Sequence, residues 1–240
     1  EHGLSVNFLI KVDTLCHKIP RFVDKAAEAG CRKVFIGLEN INPDSLKSAQ
    51  KGQNKITEYR RMLQAWRRHG ILTYAGYILG FPTDTPESIA RDIAIIQREL
   101  PVDILEFNIL TPLPGSADHK SMYERQIAMD PDMNKYDLEH VTMDHPNMTA
   151  EAWQSAYDAA WLQYYSIDHI ETLIRRAVVS GIKPVRLVGM IFQFYASPRY
   201  EGIHPLQAGF VRRKVRTQRR YGLPREHPIP LSLIHISEPT

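Results

Sequence analysis

Residues 73–88 read TYAGYILGFPTDTPES, and this stretch decides the fold. An apolar run crosses two glycines and ends in Gly-Phe-Pro. A helix start follows at once, because Thr85 is a good N-cap and Pro86 suits the first helical position. A short apolar run of this kind is typical of a strand covered on both faces, as in a parallel sheet. The stretch therefore predicts a strand over 72–80 followed directly by a helix.

The same unit of strand and helix recurs on both sides of this stretch. The predicted strands cover 5–12, 33–38, 72–80 and 103–110, and the predicted helices cover 19–30, 43–51, 56–70 and 86–100. Such alternation predicts a parallel sheet with right-handed crossovers, which makes the fold class α/β. Four strands are too few for a closed eight-stranded barrel.

The pattern changes after Pro114-Gly115. Residues 116–147 are polar and predict an irregular segment, and helices are predicted at 149–165, 167–181, about 184–197 and about 205–219. We therefore divide the chain into a β/α part, 1–120, and a mostly helical part, 121–230. The last ten residues, 231–240, resemble a translated sequencing adapter and are expected to lie outside the fold.

The composition is that of an ordinary globular protein, with 240 residues, 43% of them apolar and 24% charged. The formal net charge of +3 says little about partners. No apolar run reaches the length of a membrane helix, and no signal peptide precedes the first strand. Two cysteines are too few for a disulfide framework. The expected location is the cytoplasm.

The carboxyl ends of the parallel strands are the expected place for a site, since ligands of such sheets bind there. The residues at those ends are Asp13–Cys16, Glu39–Asn40, Gly80–Thr83 and Thr111–Gly115. Gly76 and Gly80 flank Ile78, and alternation along a strand predicts all three on one face. Missing side chains there would let a flat ring approach the backbone. The alternative is a bulge or a tight bend against a helix.

Three motifs in this order resemble the radical S-adenosylmethionine enzymes. They are VFIGLEN at 34–40, GYILGFPTDTPES at 76–88 and ILTPLPGS at 109–116. The resemblance covers roughly residues 5–120 and implies the later strands of a six-stranded partial (β/α) barrel, followed by an α-helical C-terminal extension. That extension resembles a subgroup in which a cobalamin-binding domain often lies upstream.

The resemblance implies a cofactor site for S-adenosylmethionine. It assigns Gly76, Ile78 and Gly80 to the adenine, and Thr111 to the adenine edge. Glu39 is implied to bind the ribose hydroxyls, because a carboxylate accepts hydrogen bonds from a diol. The alternative for Glu39 is a capping carboxylate ahead of Pro43.

Two further candidates end the first strand. Lys11 and Asp13 are implied to meet the methionine moiety or the substrate, with a structural ion pair as the alternative. We name no catalytic residue from the sequence.

The resemblance also implies a [4Fe–4S] cluster, an external electron donor and a 5′-deoxyadenosyl radical used for methyl transfer, cyclisation or rearrangement of an unknown small molecule. The cluster needs three cysteines in a C-x-x-x-C-x-x-C loop, and thiolates are its ligands. This chain has only Cys16 and Cys31, which are expected at opposite ends of the sheet. We therefore expect a fragment whose cluster loop lies upstream, and we assign no metal ligand within it.

Two other functions remain open at the level of sequence. One is a fragment of another parallel α/β barrel that binds a phosphate or nucleotide. The other is a non-catalytic nucleic-acid-binding module that uses the basic segment 211–220. We do not expect nucleic-acid binding, because no aromatic residues interleave with the basic ones. The aromatic residues recurring at helical spacing over 153–165 predict packing.

Overall fold

Four parallel strands form the centre of the described part of the protein, in the spatial order β1-β2-β3-β4. The computed structural model describes residues 6–48 and 56–207. The strands are β1 (Phe8–Val12), β2 (Cys31–Glu39), β3 (Leu72–Leu79) and β4 (Ile104–Ile109), and each pair of neighbours is parallel. The predicted α/β class and the four predicted parallel strands are therefore confirmed within the described residues.

Helices follow the strands as the periodicity predicted. Helices α1 (Phe22–Glu28), α2 (Pro43–Ser48), α3 (Ile56–Arg68) and α4 (Pro86–Glu99) alternate with the strands. The start of α4 is fixed by a reciprocal cap, in which the Ser88 backbone N–H donates to Thr85 Oγ1 and the Thr85 backbone N–H donates to Ser88 Oγ. Such a cap satisfies two amides that a helix end otherwise leaves without partners.

The segment after β4 contains one helix that the sequence did not predict. Helix α5 (Ala117–Glu124) begins at Ser116, whose side chain accepts a hydrogen bond from His119 N at 3.1 Å. None of its residues is buried. The expectation that 116–147 is wholly irregular is therefore wrong, because a solvated helix shows no apolar face to reveal it.

Three helices complete the described chain: α6 (Ala150–Tyr164), α7 (Ile167–Val179) and α8 (Pro184–Ala196), with a π-helical turn over Ser197–Glu201. The predicted helix at 205–219 lies mostly outside the described residues. The basic segment 211–220 and the adapter-like tail 231–240 lie wholly outside them. Among the residues that are described, no helix has the length and apolar content needed to cross a bilayer.

The two faces of the sheet differ in cover. On β2, Val34, Ile36 and Leu38 are fully buried, whereas the intervening Phe35 and Gly37 are only half-buried. This buried side is covered by α1, which packs against β2, and by α3, which packs against β3 and whose Tyr59 hydroxyl donates to Leu38 O at 3.2 Å. We call the other side of the sheet, which carries Phe35 and Gly37, the inner face.

The later helices close the β4 edge and reach the inner face. The Tyr165 hydroxyl donates to Leu105 O at 2.8 Å and accepts from Leu105 N at 3.1 Å, so it seals the open edge of β4. Phe194 of α8 lies edge-on to Tyr74, with ring centroids 5.7 Å apart. Residues before and after position 120 share one core, and the aromatic stripe of α6 packs within it, as expected.

Candidate functional site

Two glycines lie side by side on the inner face. Gly37 of β2 pairs in register with Gly76 of β3, and Gly76 pairs with Glu106 of β4. A Cβ on Gly76 would lie 3.3 Å from Phe35 Cζ, whereas a Cβ on Gly37 would lie 3.4 Å from Glu39 Oε1. The pair forms a step without side chains, with an aromatic ring beside it. Sequence reasoning found Gly76 but missed Gly37, although alternation back from Glu39 could have placed it on this face.

Glu39 reaches this step because the end of β2 is distorted. The pairing with β3 shifts between Gly37 and Glu39, and Glu39 has a φ of 63°, a left-handed conformation that is uncommon for non-glycine residues. The bend folds the carboxylate back over Gly37. The structure therefore brings Glu39 and Gly76 together on one face, as the implied cofactor site requires.

The loop after β2 has its own polar support. Asn40 Oδ1 accepts from Asn42 N at 2.7 Å, just ahead of Pro43, and Asn40 Nδ2 donates to Ile78 O at 3.4 Å. Asn40 thus shapes the loop ahead of α2 and ties it to β3.

Gly80 has a different environment from Gly76. The strand ends at Leu79, and Gly80 has a φ of +103°. A Cβ there would lie 1.8 Å from Cζ2 of Trp153. The absent side chain therefore makes room for Trp153 of α6, whose Nε1 donates to Leu79 O at 3.3 Å. The alternation argument that grouped Gly80 with Gly76 is wrong, since its bend-against-a-helix alternative describes this residue. Ile78 remains on the inner face, half-buried and in register with Asn108.

Asp84 shapes the turn after β3, and sequence reasoning missed it. Its Oδ2 accepts hydrogen bonds from the backbone amides of Gly80 and Phe81, both at 2.9 Å, and its Oδ1 accepts from Ser45 Oγ at 3.1 Å. Burial raises the pKa of the Asp84 carboxyl. The turn is also tied to the later chain, since His145 Nε2 lies 2.9 Å from Phe81 O.

The remaining sequence candidates end their strands as expected. The Thr111 hydroxyl donates to Ile109 O at 2.9 Å. Asp13 Oδ1 accepts from Leu15 N at 2.7 Å and so shapes the turn after β1. Lys11 Nζ lies 5.3 Å above the centre of the Phe35 ring, on the inner face. The roles given to Thr111, Asp13 and Lys11 stay predictions.

A polar cluster on the inner face was also missed. Glu106 lies mid-strand on β4, and its Oε2 accepts a hydrogen bond from the Tyr74 hydroxyl. His204 Nε2 lies 3.7 Å from Glu106 Oε1. Burial raises the pKa of the Glu106 carboxyl and lowers the pKa of His204 to about 4. The one available signal was a charged residue inside the apolar run DILEFNIL.

The cysteines do not fit a [4Fe–4S] cluster. Cys31 opens β2, whereas Cys16 lies in a 3₁₀ turn beyond the end of β1, and both are buried free thiols. Burial raises the pKa of the Cys16 thiol to about 11. Within residues 6–48 and 56–207, no group of three or more histidine, cysteine or acidic side chains is placed to hold a metal ion. Cys16 and Cys31 therefore do not form a site for such a cluster.

The glycine step does fit an adenosyl group. The Gly37–Gly76 pair leaves backbone without side chains, and the Glu39 carboxylate lies beside it. A flat heterocycle needs such an approach, and a ribose diol needs such an acceptor.

The chain is similar to known methyltransferases. It is 32% identical over 152 residues to the bacteriochlorophyllide d C-12(1)-methyltransferase of Chlorobaculum tepidum, covering 62% of this chain and 30% of that protein. It is 24% identical over 192 residues to the C-8(2)-methyltransferase of the same organism, covering 78% of this chain and 39% of that protein. The chain thus spans only about three tenths to two fifths of the length of these relatives. No protein-family model matches it.

A solved structure is similar at a lower level. The radical S-adenosylmethionine methyltransferase TsrM of Kitasatospora setae, with cobalamin and a [4Fe-4S] cluster bound, is 19% identical with a TM-score of 0.43, covering 70% of this chain and 36% of TsrM. The chain is a homologue of bacteriochlorophyllide methyltransferases, and the resemblance to radical S-adenosylmethionine enzymes that its strands indicated is confirmed.

Proposed function

We propose that the chain is part of a radical S-adenosylmethionine methyltransferase that binds its cofactor on the inner face and methylates a tetrapyrrole. The observation that carries the cofactor site is the Gly37–Gly76 step with the Glu39 carboxylate folded over it. The names of the two relatives support the reaction and the substrate class. The protein acts in the cytoplasm.

Each residue of the site has a separate task in binding. The backbone of Gly37 and Gly76 lies against the adenosyl group, and Ile78 packs beside it from the next inner-face position. Glu39 accepts hydrogen bonds from the ribose hydroxyls, and its charge strengthens them. The bend at Glu39 fixes the direction of the carboxylate before the cofactor arrives, so less conformational entropy is lost on binding.

The bound cofactors supply the radical and the methyl group, and the protein orients the reactants and excludes water. No described residue is assigned to the cluster, and its electron would come from a separate donor molecule. We assign no residue of this chain to cobalamin.

The inner face also suits a large planar substrate. Phe35 and Tyr74 lie edge-to-face with ring centroids 4.8 Å apart, and Phe194 continues the same aromatic surface. On the β1 side the face is open, since Leu9 and Lys11 are exposed. A macrocycle can therefore lie on aromatic side chains next to the glycine step.

Calorimetric titration of the chain with S-adenosylmethionine tests the cofactor site. Glu39→Ala should weaken binding about tenfold or more, because it removes charge-assisted hydrogen bonds that contribute roughly 1.5–3 kcal/mol. Glu39→Gln should fall between the two, since the amide keeps one acceptor and loses the charge. Glu124→Ala, an exposed change on α5, is the matched control and should bind as wild type does.

Gly37→Val provides a companion test. A branched side chain suits a strand and should leave the fold intact, but it would fill the step. Cofactor binding should then be lost without a change in unfolding temperature. If Glu39→Ala binds S-adenosylmethionine normally and unfolds more easily, Glu39 has a structural role. If the chain binds ATP and not S-adenosylmethionine, the nucleotide-binding alternative is correct.

A further inference from the structure

A cleft lined by arginines lies at the amino end of the sheet, the end opposite to the loops that follow the strands. The last turns of α3 and α7 form it together with Pro101, which precedes β4, and its volume is about 740 Å³. Four of the described residues that line it are basic and none of them is acidic; the basic ones are Arg67, Arg68, Arg175 and Arg176. The cleft therefore has the room and the charge to attract an anionic group.

Two of the arginines are fixed by the protein itself. Arg67 is buried, where it donates to the Asp103 carboxylate, and its Nη2 also donates to Ser180 Oγ at 2.9 Å. Arg176 Nη2 donates to Gln97 O at 3.0 Å. Asp103 neutralises Arg67, whereas a carbonyl carries no net charge. The bond to Gln97 therefore holds Arg176 in place and leaves its positive charge to act on a ligand.

The other two arginines lie at the open rim of the cleft. Arg68 is exposed, and no carboxylate in the described part of the chain is within ion-pair distance of it. Arg175 pairs with Glu171 one turn earlier at 2.5 Å, but the two side chains are 77% and 60% exposed. Ion pairs as exposed as this contribute little free energy, so Arg175 can leave Glu171 for another anion. Both guanidinium groups are thus available to a ligand that arrives from solvent.

Exposed valines adjoin the rim. Val179 lines the cleft and is 89% exposed, and its neighbour Val178 is 58% exposed. Across the turn that joins α7 to α8, Val185 is 85% exposed. Single exposed apolar residues are common, but three at one turn form a patch of the kind that contacts a partner. A partner that fits this turn offers anionic groups and apolar groups together.

The charges around the turn identify that partner. All five charged residues between Glu171 and Glu201 are basic, and they are Arg175, Arg176, Lys183, Arg186 and Arg199. Lys183 and Arg186 are exposed on either side of Val185 in the chain. Apolar side chains among basic ones suit an anionic lipid surface, where phosphates border acyl chains. RNA would meet the arginines but would leave the valines in water, since its bases stack on aromatic side chains.

We propose that the arginine cleft binds the phosphate of an anionic phospholipid headgroup, while Val178, Val179 and Val185 enter the interfacial layer of the membrane. Arg68 and Arg175 hold the phosphate from the rim. This attachment to a membrane surface needs no segment that crosses the membrane. None of these residues belongs to the glycine step, so the inference is independent of the proposed cofactor site.

Co-sedimentation of the full chain with lipid vesicles tests the surface. Vesicles of equal parts phosphatidylglycerol and phosphatidylcholine are compared with vesicles of phosphatidylcholine alone. The chain should bind the first set about tenfold more tightly or better, and added salt should weaken that binding, because basic residues near an anionic surface act electrostatically. Arg68→Gln and Arg175→Gln should each weaken it about fivefold, the change expected for one basic residue.

Each kind of change has a matched control in or next to α5, which follows the other end of β4. Arg125→Gln removes the same charge from an exposed position and should alter binding by less than about twofold. Val179→Ser should weaken binding about fivefold even in high salt, because it removes apolar area from the contact. Tyr123→Ser, at a residue that is 73% exposed, should leave binding unchanged.

Several results would overturn the proposal. Equal binding to both vesicle sets, or no binding to either, would refute the lipid surface, and unchanged binding by Val179→Ser would refute the entry of the valines. An effect of Arg125→Gln as large as that of Arg68→Gln would show that only the net charge matters. Binding of inorganic phosphate or of a single-stranded RNA oligonucleotide, with no binding to vesicles, would assign the cleft to a free anion instead.

Two further measurements keep the result specific. Circular dichroism checks that each variant is folded, which the exposure of Arg68, Arg175 and Val179 leads us to expect. Titration with S-adenosylmethionine reports separately on the proposed cofactor site, and these variants should not change it.

Discussion

Replacing Asp84 should show how far one buried carboxylate holds the turn at the end of β3. The side chain is 2% exposed, and its Oδ2 accepts from two backbone amides while Oδ1 accepts from Ser45. Asp84→Ala leaves the amides of Gly80 and Phe81 without partners. Each amide that loses its partner costs roughly 1–3 kcal/mol. This cost is offset in part, because the variant no longer has to bury the charged carboxylate. We expect a net loss of about 3 kcal/mol in the free energy of unfolding.

Asp84→Asn should cost much less. Both amides donate to the same oxygen, so the single carbonyl oxygen of asparagine can accept both, and about 1 kcal/mol is lost with the charge. Equilibrium urea unfolding at neutral pH, followed by circular dichroism, measures the two values. Asp144→Ala, an exposed aspartate of a later loop, is the control and should stay within about 0.5 kcal/mol of wild type.

The ranking of the variants is the decisive result. If Asp84→Ala is as stable as Asp144→Ala, the carboxylate does not hold the turn. If Asp84→Asn costs as much as Asp84→Ala, the charge and not the shared acceptor carries the effect, and the reasoning from the two amides fails.

Three further perturbations test other parts of the structure. Burial raises the pKa of Asp92 from 3.8 to about 6, so the native state holds this proton more tightly and the free energy of unfolding falls as the pH rises from about 4 to about 6. In Asp92→Asn, urea unfolding at several pH values should show a fall that is smaller by about 1 kcal/mol. A pH profile equal to that of the wild type would refute this. Gly80→Ala forces a Cβ into the ring of Trp153 at positive φ and should cost about 2 kcal/mol or more; an unchanged unfolding temperature would contradict the close approach. Cys16 and Cys31 are buried and their pKa values are raised, so Ellman's reagent should label them only after unfolding; fast labelling of the native protein would show that a thiol is exposed.

The sequence by itself determined the order, type and direction of the main elements. Strands β2, β3 and β4 were each predicted to within about two residues, because short apolar runs and turn residues act locally. The start of α4 followed from Thr85 and Pro86 for the same reason, since a cap involves only neighbours in the chain. The parallel order of the sheet followed from the alternation of strands and helices.

Only the tertiary structure decided what each glycine does. Gly76 and Gly80 look alike in the sequence, but Gly76 lies beside Gly37 on the inner face, while Gly80 accommodates a tryptophan from 73 residues further along the chain. No local pattern shows which helix will pack against a strand end. The meaning of a missing side chain depends on what occupies its space, and that is a long-range property.

The partners of the polar groups around the site are likewise set by residues distant in the chain. Glu106 of β4 accepts a hydrogen bond from Tyr74 on the neighbouring strand β3, and His204, almost 100 residues later in the chain, lies next to Glu106. Asp84 accepts hydrogen bonds from two amides of its own turn, but it also accepts one from Ser45 of α2, which lies 39 residues earlier in the chain. The distorted end of β2 that directs Glu39 arises from a register shift against β3. Burial and hydrogen-bond partners are set by contacts distant in the chain, so local sequence could name Glu39 and could not find the groups that surround the site.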